Sequence, residues 1–189
     1  MKFMAFYPLS LVILIILVLF QVSNGSDLVR ESCAKASKND PIVHYDFCVA
    51  SLEDAIIDSQ GNNPPTSLGD LVAMSIQITK SNATNIISII SNLLKEDPTN
   101  STKFLSQYSK ECLKDCSDLY SDSLSDLDDA MRAFESQDFN TASIKISASM
   151  EASVTCENQF SDGNEESPLT DKDNTYFELN AMSLALINM

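Results

Sequence analysis

Cysteines and one histidine are the residues of this chain whose types could form a metal, redox or disulfide site. Two of the five cysteines bracket the stretch SCAKASKNDPIVHYDFC, which begins at Ser32, contains His44 and ends at Cys48. Structural zinc sites combine cysteine and histidine ligands at short, regular spacings. A single histidine and the lack of any C-x-x-C pair do not supply such a set. We therefore expect neither a bound metal nor another cofactor.

The N-terminus indicates the compartment in which the cysteines act. Lys2 precedes an apolar run from Leu11 to Phe20, and Ser23 and Gly25 then occupy the −3 and −1 positions of a cut after Gly25. This layout is typical of a secretory signal peptide. An uncleaved anchor is the alternative, because the apolar stretch from Phe3 to Val22 approaches the length of a membrane span. The small residues before the cut favour cleavage and secretion.

The charge of the chain restricts its partners. The formal net charge is −15, and loss of Lys2 with the signal peptide makes it −16. Such a chain repels nucleic acid and anionic membranes and favours a partner with a basic surface. The residues after Gly25 contain no second long apolar run and suffice for one domain with a single core.

Helical periodicity dominates the rest of the sequence and predicts an all-α fold. We expect an N-terminal α-helical hairpin followed by an up-down-up-down four-helix bundle. The hairpin helices are predicted at Leu28–Ala36 and Ile42–Ile57, and the bundle helices from an N-cap at Thr66 or Ser67 to Asp97-Pro98, at Ser101–Ser136, at Phe139–Phe160 and after Pro168. The predicted boundaries are 1–25 for the signal peptide, 26–61 for the hairpin and 62–189 for the bundle, with the last two forming one domain.

In an oxidising compartment the five cysteines are first a disulfide framework. An odd number allows at most two bridges, and five choices of the free thiol with three pairings each leave fifteen arrangements. Cys33 and Cys48 lie on the two arms of the predicted hairpin. A bridge between them would clamp a hairpin that is too small to hold itself together.

The other three cysteines lie on inward stripes of the second and third bundle helices. Cys112 and Cys116 share one stripe with Tyr108, and Cys156 lies on the facing stripe of the antiparallel neighbour. A Cys112–Cys116 bridge would distort its own helix. We therefore predict a Cys116–Cys156 bridge and leave Cys112 as a buried free thiol.

Four stretches carry a resemblance that spans nearly all of the chain after Gly25. They are LVRESCAKASKNDPIVHYDFCVASL, DCSDLYSDSLSDLDDA, FNTASIKISASMEASVTCENQF and SPLTDKDNTYFELNAMSLALINM. Together with the cysteine placement they resemble the plant invertase and pectin methylesterase inhibitors, and within that family the branch that includes the plane-tree pollen allergen. The family's fold is a helical hairpin with a four-helix bundle and two bridges, first to second and third to fourth among four cysteines. Cys112 lies outside those four.

The resemblance implies a secreted protein inhibitor without enzymatic activity of its own. Pectin methylesterase inhibitors of this family cover the substrate cleft of their target in a 1:1 complex, using faces of the bundle helices. The positions that match this contact face are Asp118, Asp122, Thr155 and Glu157. Two further acidic positions differ, because this chain has Ser125, next to Asp126, and Asn158.

Invertase inhibitors of the family instead insert a Pro-Lys-Phe triplet from the turn before the third bundle helix. This chain has Gln137-Asp138-Phe139 there, so only the phenylalanine remains. The resemblance therefore ranks pectin methylesterase ahead of cell-wall or vacuolar acid invertase as the target. Location in the apoplast or cell wall follows from the first target, and the vacuole remains open. A non-inhibitory, allergen-like pollen or seed protein is the third alternative.

The sequence contains two acceptors for N-glycosylation, Asn82-Ala83-Thr84 and Asn100-Ser101-Thr102. Asn100 lies in a predicted turn and is the better candidate, whereas Asn82 lies in the middle of a predicted helix. The oligomeric state does not follow from the sequence.

Overall fold

The computed structural model describes residues 25–58, 64–95 and 105–189. These residues form six helices and no strand, which confirms the predicted all-α fold. The helices are α1 (25–39), α2 (Tyr45–Asp58), α3 (Leu68–Lys95), α4 (Gln107–Glu135), α5 (Phe139–Asp162) and α6 (Thr170–Ile187). The predicted signal peptide up to residue 24, the boundary near residue 61, Asp97-Pro98 and Asn100 lie outside the described residues. No helix in the described ranges is both long and apolar enough to cross a membrane.

Helices α3 to α6 form the four-helix bundle, in which each helix packs against the next and α6 returns to α3. Cys116 of α4 contacts Cys156 of α5, and Asp126 of α4 contacts Lys145 further towards the start of α5. Residue numbers therefore rise along one helix as they fall along the other, so the two run antiparallel. The contacts between α5 and α6 have the same sense.

The hairpin of α1 and α2 packs into the same core as the bundle. The Cys33–Cys48 bridge joins its arms, and Val29 and Leu52 are fully buried together with residues of α3 to α6. Between the arms, Asp40 Oδ1 accepts a hydrogen bond of 2.9 Å from the amide of Ile42, which holds the turn before α2. Hairpin and bundle thus share one hydrophobic core.

Helix α3 begins with a capping box. Ser67 Oγ accepts from the Asp70 amide at 3.2 Å, and Asp70 Oδ2 accepts from the amides of Ser67 and Thr66 at 3.0 and 2.8 Å. The hydrogen bonds from Thr66 lower the pKa of Asp70, and those from Ser67 act in the same direction. Of the two predicted N-cap residues, Ser67 is therefore the one that caps the helix.

Helix α4 begins at Gln107 rather than at the predicted Ser101. Ser106 has an extended backbone, and its Oγ accepts from the Ser109 amide at 2.9 Å, which is the geometry of an N-cap. Glu165, from the connection between α5 and α6, accepts hydrogen bonds from the hydroxyls of both serines. A contact with a distant loop thus fixes the start of α4, and such a contact cannot be found from local periodicity.

Candidate functional site

An acidic stripe runs along the exposed face of α4. Its members follow a four-three-four spacing, and all are exposed: Glu111, Asp115, Asp118 and Asp122. At 3.6 residues per turn these side chains leave the helix within an arc of about 60°. Asp118 and Asp122, which the sequence analysis selected, are the half of this stripe nearer the middle of the helix. Glu111 and Asp115 were missed, although the same helical spacing would have found them.

The acids that follow the stripe are engaged within the protein. Lys145 of α5 donates to Asp126 at 2.8 Å and lies 3.1 Å from Asp129, while Lys80 of α3 pairs with Asp128. The hydrogen bond to Lys145 lowers the pKa of Asp129, and the same contacts raise the pKa of Lys145. Asp126 therefore does not replace the acid missing at position 125, because its carboxylate already has a partner.

The Cys116–Cys156 bridge connects the predicted contact residues of α5, Thr155 and Glu157, to the acidic stripe of α4. Cys116 lies between Asp115 and Asp118 in sequence, and Cys156 lies between Thr155 and Glu157. Both sulfurs are fully buried, with the Cα atoms 5.1 Å apart. Thr155 is exposed, so the bridge holds it on the helix next to the acids of α4.

Glu157 differs from the other matched residues because it is turned partly into the protein. Its Oε1 accepts a hydrogen bond of 2.8 Å from Thr170 Oγ1 at the start of α6. Its Oε2 is buried and accepts no hydrogen bond from the described residues. The side chain lines a small cavity between α5 and α6 together with Asp173.

Asp173 is a buried carboxyl that sequence reasoning missed. It is 3 % exposed, and its Oδ1 accepts a hydrogen bond of 2.5 Å from the hydroxyl of Tyr120. Burial raises the pKa of Asp173 to about 7; the Tyr120 hydrogen bond opposes this rise, and contact with Glu157 adds to it. A carboxyl of this kind keeps its proton in mildly acidic solution.

Tyr120 and Tyr176 extend this buried polar cluster through the bundle. Their rings meet edge to face with centroids 5.0 Å apart. The Tyr176 hydroxyl lies 2.9 Å from Ser123 Oγ of α4 and 2.6 Å from Ser149 Oγ of α5. Burial raises the pKa of both tyrosines, so both remain neutral donors. Hydrogen bonds among α4, α5 and α6 thus position the carboxyl next to Glu157.

The turn between α4 and α5 carries the residues that match the invertase-type triplet. Gln137 has a positive φ of 64°, and Asp138 caps α5 by accepting from the Thr141 amide at 3.1 Å. This hydrogen bonding lowers the pKa of Asp138. Phe139 is 49 % exposed and packs against Phe134. The position of the triplet's lysine is therefore held by a helix-capping carboxylate.

Phe139 does not lie with the other predicted contact residues. It precedes Glu157 by 18 residues along α5, which corresponds to about 27 Å at 1.5 Å per residue. The bundle therefore presents two separate surfaces, one at the α4–α5 turn and one around the Cys116–Cys156 bridge. A target enzyme that contacts only one of these surfaces would not contact both Phe139 and the residues around the bridge.

Cys112 is the free thiol and lies beneath Tyr108. It is 5 % exposed, and burial raises the pKa of its thiol. Tyr108, predicted to face the core, is instead 40 % exposed, and its hydroxyl donates to the backbone oxygen of Gln159 at 2.7 Å. The inward position predicted for Tyr108 is wrong, because the ring lies over the end of α5 and covers Gly163 and Cys112.

Replacing Gly163 by alanine is expected to displace the Tyr108 ring. A Cβ at this position would lie 2.1 Å from Tyr108 Cε1, so the ring must move and the hydrogen bond to Gln159 is lost. We expect a loss of about 1 kcal/mol in the free energy of unfolding and faster labelling of Cys112 by a thiol reagent. Gly69→Ala is the matched control, because its Cβ would meet only ordinary contacts at 3.6 and 3.7 Å. Equal labelling rates in both variants would contradict the covering role of Tyr108.

Asn82 of the first glycosylation acceptor lies within α3 and is half-buried. Its Oδ1 is buried and accepts no hydrogen bond within the described residues, and the side chain lines a cavity between α2, α3 and α6. An attached glycan would have to displace this packing. Glycosylation of Asn82 therefore stays a prediction, and the half-buried position of the side chain is unfavourable for it.

The described residues contain no group of three or more histidine, cysteine, aspartate or glutamate side chains placed to hold a metal ion. The candidate site consists of an exposed acidic stripe on α4, the buried Cys116–Cys156 bridge beneath it and a cavity lined by carboxyl groups between α5 and α6. Such an arrangement is typical of a protein that acts by binding another macromolecule.

Comparisons with known proteins agree with this class. Residues 27–186 match the family model for plant invertase/pectin methylesterase inhibitors. The chain is 32% identical over 180 residues to a "Putative invertase inhibitor" of Platanus acerifolia, which covers 92% of this chain and 91% of that protein. It is 33% identical over 181 residues to "Pectinesterase inhibitor 12" of Arabidopsis thaliana, which covers 93% of this chain and 98% of that protein.

Solved structures show the same fold. A crystal structure of a pectin methylesterase inhibitor from Arabidopsis thaliana matches with a TM-score of 0.57 at 17% identity, covering 86% of this chain and 95% of that one. A mutant form of a pectin methylesterase inhibitor from Arabidopsis matches with a TM-score of 0.59 at 18% identity, covering 77% and 89%. The family model and the named relatives place the chain in a class of helical inhibitor proteins rather than enzymes. The chain belongs to the plant invertase/pectin methylesterase inhibitor family, as the resemblance in its sequence predicted.

Proposed function

We propose that this protein inhibits pectin methylesterase by placing the acidic stripe of α4 and the end of α5 over the substrate cleft of the enzyme. The observation that carries the proposal is the exposure of Asp118 and Asp122 on one face of α4, joined through the Cys116–Cys156 bridge to Thr155 and Glu157. The described residues give Asp118 and Asp122 no ion pair. Their charges are therefore free to attract a basic surface.

The α4–α5 turn supports pectin methylesterase over invertase. Invertase-type blockade would need a cationic side chain where this chain has Asp138. That carboxylate caps α5 through the Thr141 amide, so the position is both of the wrong charge and already engaged. A sugar pocket would receive only Phe139 from this turn.

Acid invertase is the second candidate target. Phe139, the one residue that matches the invertase-type triplet, is half-exposed at the tip of the bundle. Two relatives, from Platanus acerifolia and Platanus orientalis, carry the name "Putative invertase inhibitor". Inhibition of invertase would therefore use the turn, whereas inhibition of the esterase would use the stripe.

The proposed place of action is the apoplast and cell wall. A secreted chain fits the predicted signal peptide, and both bridges fit an oxidising compartment. Pectin methylesterase acting on cell-wall pectin would meet the inhibitor there in a 1:1 complex.

Titration of the mature protein against purified pectin methylesterase and purified acid invertase tests the function. We expect stoichiometric inhibition of the esterase. Asp118→Asn/Asp122→Asn is expected to weaken the complex about tenfold or more and to reduce its dependence on salt, because both charges belong to the contact.

The matched control is Asp27→Asn/Glu31→Gln on α1. It removes two exposed acids at the same four-residue spacing, on the hairpin instead of the bundle. Equal effects of the two double variants would mean that net charge alone steers the complex. Inhibition of invertase alone would reverse the ranking of the targets, and inhibition of neither enzyme would favour the non-inhibitory alternative.

A further inference from the structure

The cavity between α5 and α6 has a volume of about 270 Å³. A water molecule takes up roughly 30 Å³ of liquid volume, so the end of one long side chain fits. Val154 and Phe177 give the cavity apolar walls, and the exposed Asn158 connects it with solvent. Glu157 and Asp173 contribute its carboxyl groups.

The two carboxyls have unused acceptor atoms. Asp173 is 3 % exposed, and its Oδ1 accepts the hydrogen bond from Tyr120. Oε1 of Glu157 accepts the hydrogen bond from Thr170. The remaining oxygens, Asp173 Oδ2 and Glu157 Oε2, are both buried and receive no hydrogen bond from the described residues. Within the described residues, neither Asp173 nor Glu157 forms a salt bridge. Buried carboxylate oxygens without donors are unusual and call for a bound proton or cation.

A proton bound by Asp173 meets this need in the free protein. Burial is the main cause that raises the pKa of Asp173; the hydrogen bond from Tyr120 of α4 lowers it, and the neighbouring Glu157 of α5 raises it further. Tyr176 of α6 touches Tyr120 but stays neutral, and no charged group of α3 is among the groups that act on Asp173. A buried carboxyl next to a second acid is ionised only at a cost, so Asp173 keeps its proton in mildly acidic solution.

We propose that this cavity receives one guanidinium or ammonium group, supplied by an arginine or lysine of the target enzyme, which lies between Glu157 and Asp173 and replaces the proton held by Asp173. The identity of the target rests on the proposed function, whereas the site itself does not. The guanidinium fork matches two carboxylate oxygens, and its aliphatic stem would pack against Val154 and Phe177. One cation enters and one proton leaves to solvent, so the net charge of the site is unchanged by the exchange.

This exchange makes the complex sensitive to pH in a defined direction. A proton and the cation compete for the carboxyl of Asp173, so binding is strongest when Asp173 is ionised. Below the pKa of Asp173, affinity is expected to fall by up to about tenfold per pH unit, which is the limit for one proton.

The first test uses the free protein and a small probe. Carboxyl NMR of protein labelled with carbon-13 follows the titration of Asp173 in methylguanidinium chloride and in sodium chloride of equal ionic strength. We expect methylguanidinium to lower the pKa of Asp173 and sodium not to do so. The matched control Asp171→Asn, an exposed acid on the same turn of α6, is expected to behave as the native protein. Identical titrations in both salts would overturn the proposal.

The second test measures protons released when the complex with pectin methylesterase forms. Calorimetry in two buffers of different ionisation enthalpy is expected to show release of about one proton near pH 6 for the native protein and for Asp171→Asn. Asp173→Asn, which has no acidic proton at this position, is expected to release none. Complex formation without this difference would overturn entry of a target side chain. Failure to form any complex would instead contradict the proposed function, and the probe titration would still decide the cation site.

Discussion

Replacing both Cys116 and Cys156 by alanine is expected to lower the free energy of unfolding by about 4 kcal/mol. The bridge closes a loop of 40 residues between α4 and α5, and opening that loop enlarges the ensemble of unfolded chains. Alanine is chosen because both positions are fully buried, where a serine hydroxyl would lack a partner. Urea unfolding followed by circular dichroism measures the change.

The hairpin bridge provides the comparison. Cys33→Ala/Cys48→Ala opens a loop of only 15 residues, so a smaller loss of about 3 kcal/mol is expected. The bundle variant is also expected to weaken inhibition, because Asp118 and Thr155 lie beside the lost bridge, whereas the hairpin variant leaves that surface joined. A larger loss of stability from the hairpin variant, or unchanged inhibition by the bundle variant, would contradict these roles.

The bridges could be predicted because helical periodicity decides which side chains meet. Cys116 and Cys156 both fall on apolar stripes, and each stripe must face the core of the bundle. Two facing stripes on antiparallel neighbours leave few pairs of cysteines within bonding distance. The pairing therefore follows from local patterns and one assumption about topology.

Periodicity failed where a tertiary contact competed with it. Tyr108 fits the inward stripe of α4, yet its hydroxyl reaches Gln159 on α5 and leaves the ring 40 % exposed. Tyr120 is fully buried, because its hydroxyl has a partner in Asp173 of α6. The burial of Tyr120 depends on a hydrogen-bond partner that is 53 residues away in sequence. The sequence of α4 alone does not reveal this partner.

Some features of the candidate site could also be predicted from the helical pattern, whereas others depend on tertiary contacts. Asp118 and Asp122 were predicted to lie on the surface, and their exposure follows from their position on the polar face of α4. The engagement of Asp126 by Lys145 could not be predicted, because it depends on how α4 and α5 are aligned. Asp173 stands in the first turn of α6, where an acid ordinarily favours the helix dipole at the surface. Its burial results from the packing of α6 against Tyr120 and Glu157.

The native protein is expected to lose stability as the pH rises from about 4 to about 7 through the titration of Asp173. Burial raises the pKa of this carboxyl to about 7 in the folded protein, from an ordinary value of 3.8. A group whose folded pKa is raised stabilises the fold fully below its unfolded pKa, and this contribution disappears as the pH passes the folded pKa. With about 1.4 kcal/mol for each pKa unit, the loss reaches roughly 4 kcal/mol.

Asp173→Asn is expected to abolish this loss. The amide oxygen can still accept from Tyr120, and the amide nitrogen can donate to Glu157 Oε2, which lacks a donor in the described structure. The variant is therefore expected to be more stable than the native protein near pH 8 and similar to it near pH 4. Carboxylates with lowered pKa, such as Asp70 and Glu165, weaken both proteins alike at lower pH, so the difference between the two curves isolates Asp173. Urea unfolding over this pH range, with Asp171→Asn as the exposed control, provides the measurement. Parallel curves for the native protein and Asp173→Asn would show that Asp173 is ionised throughout this pH range.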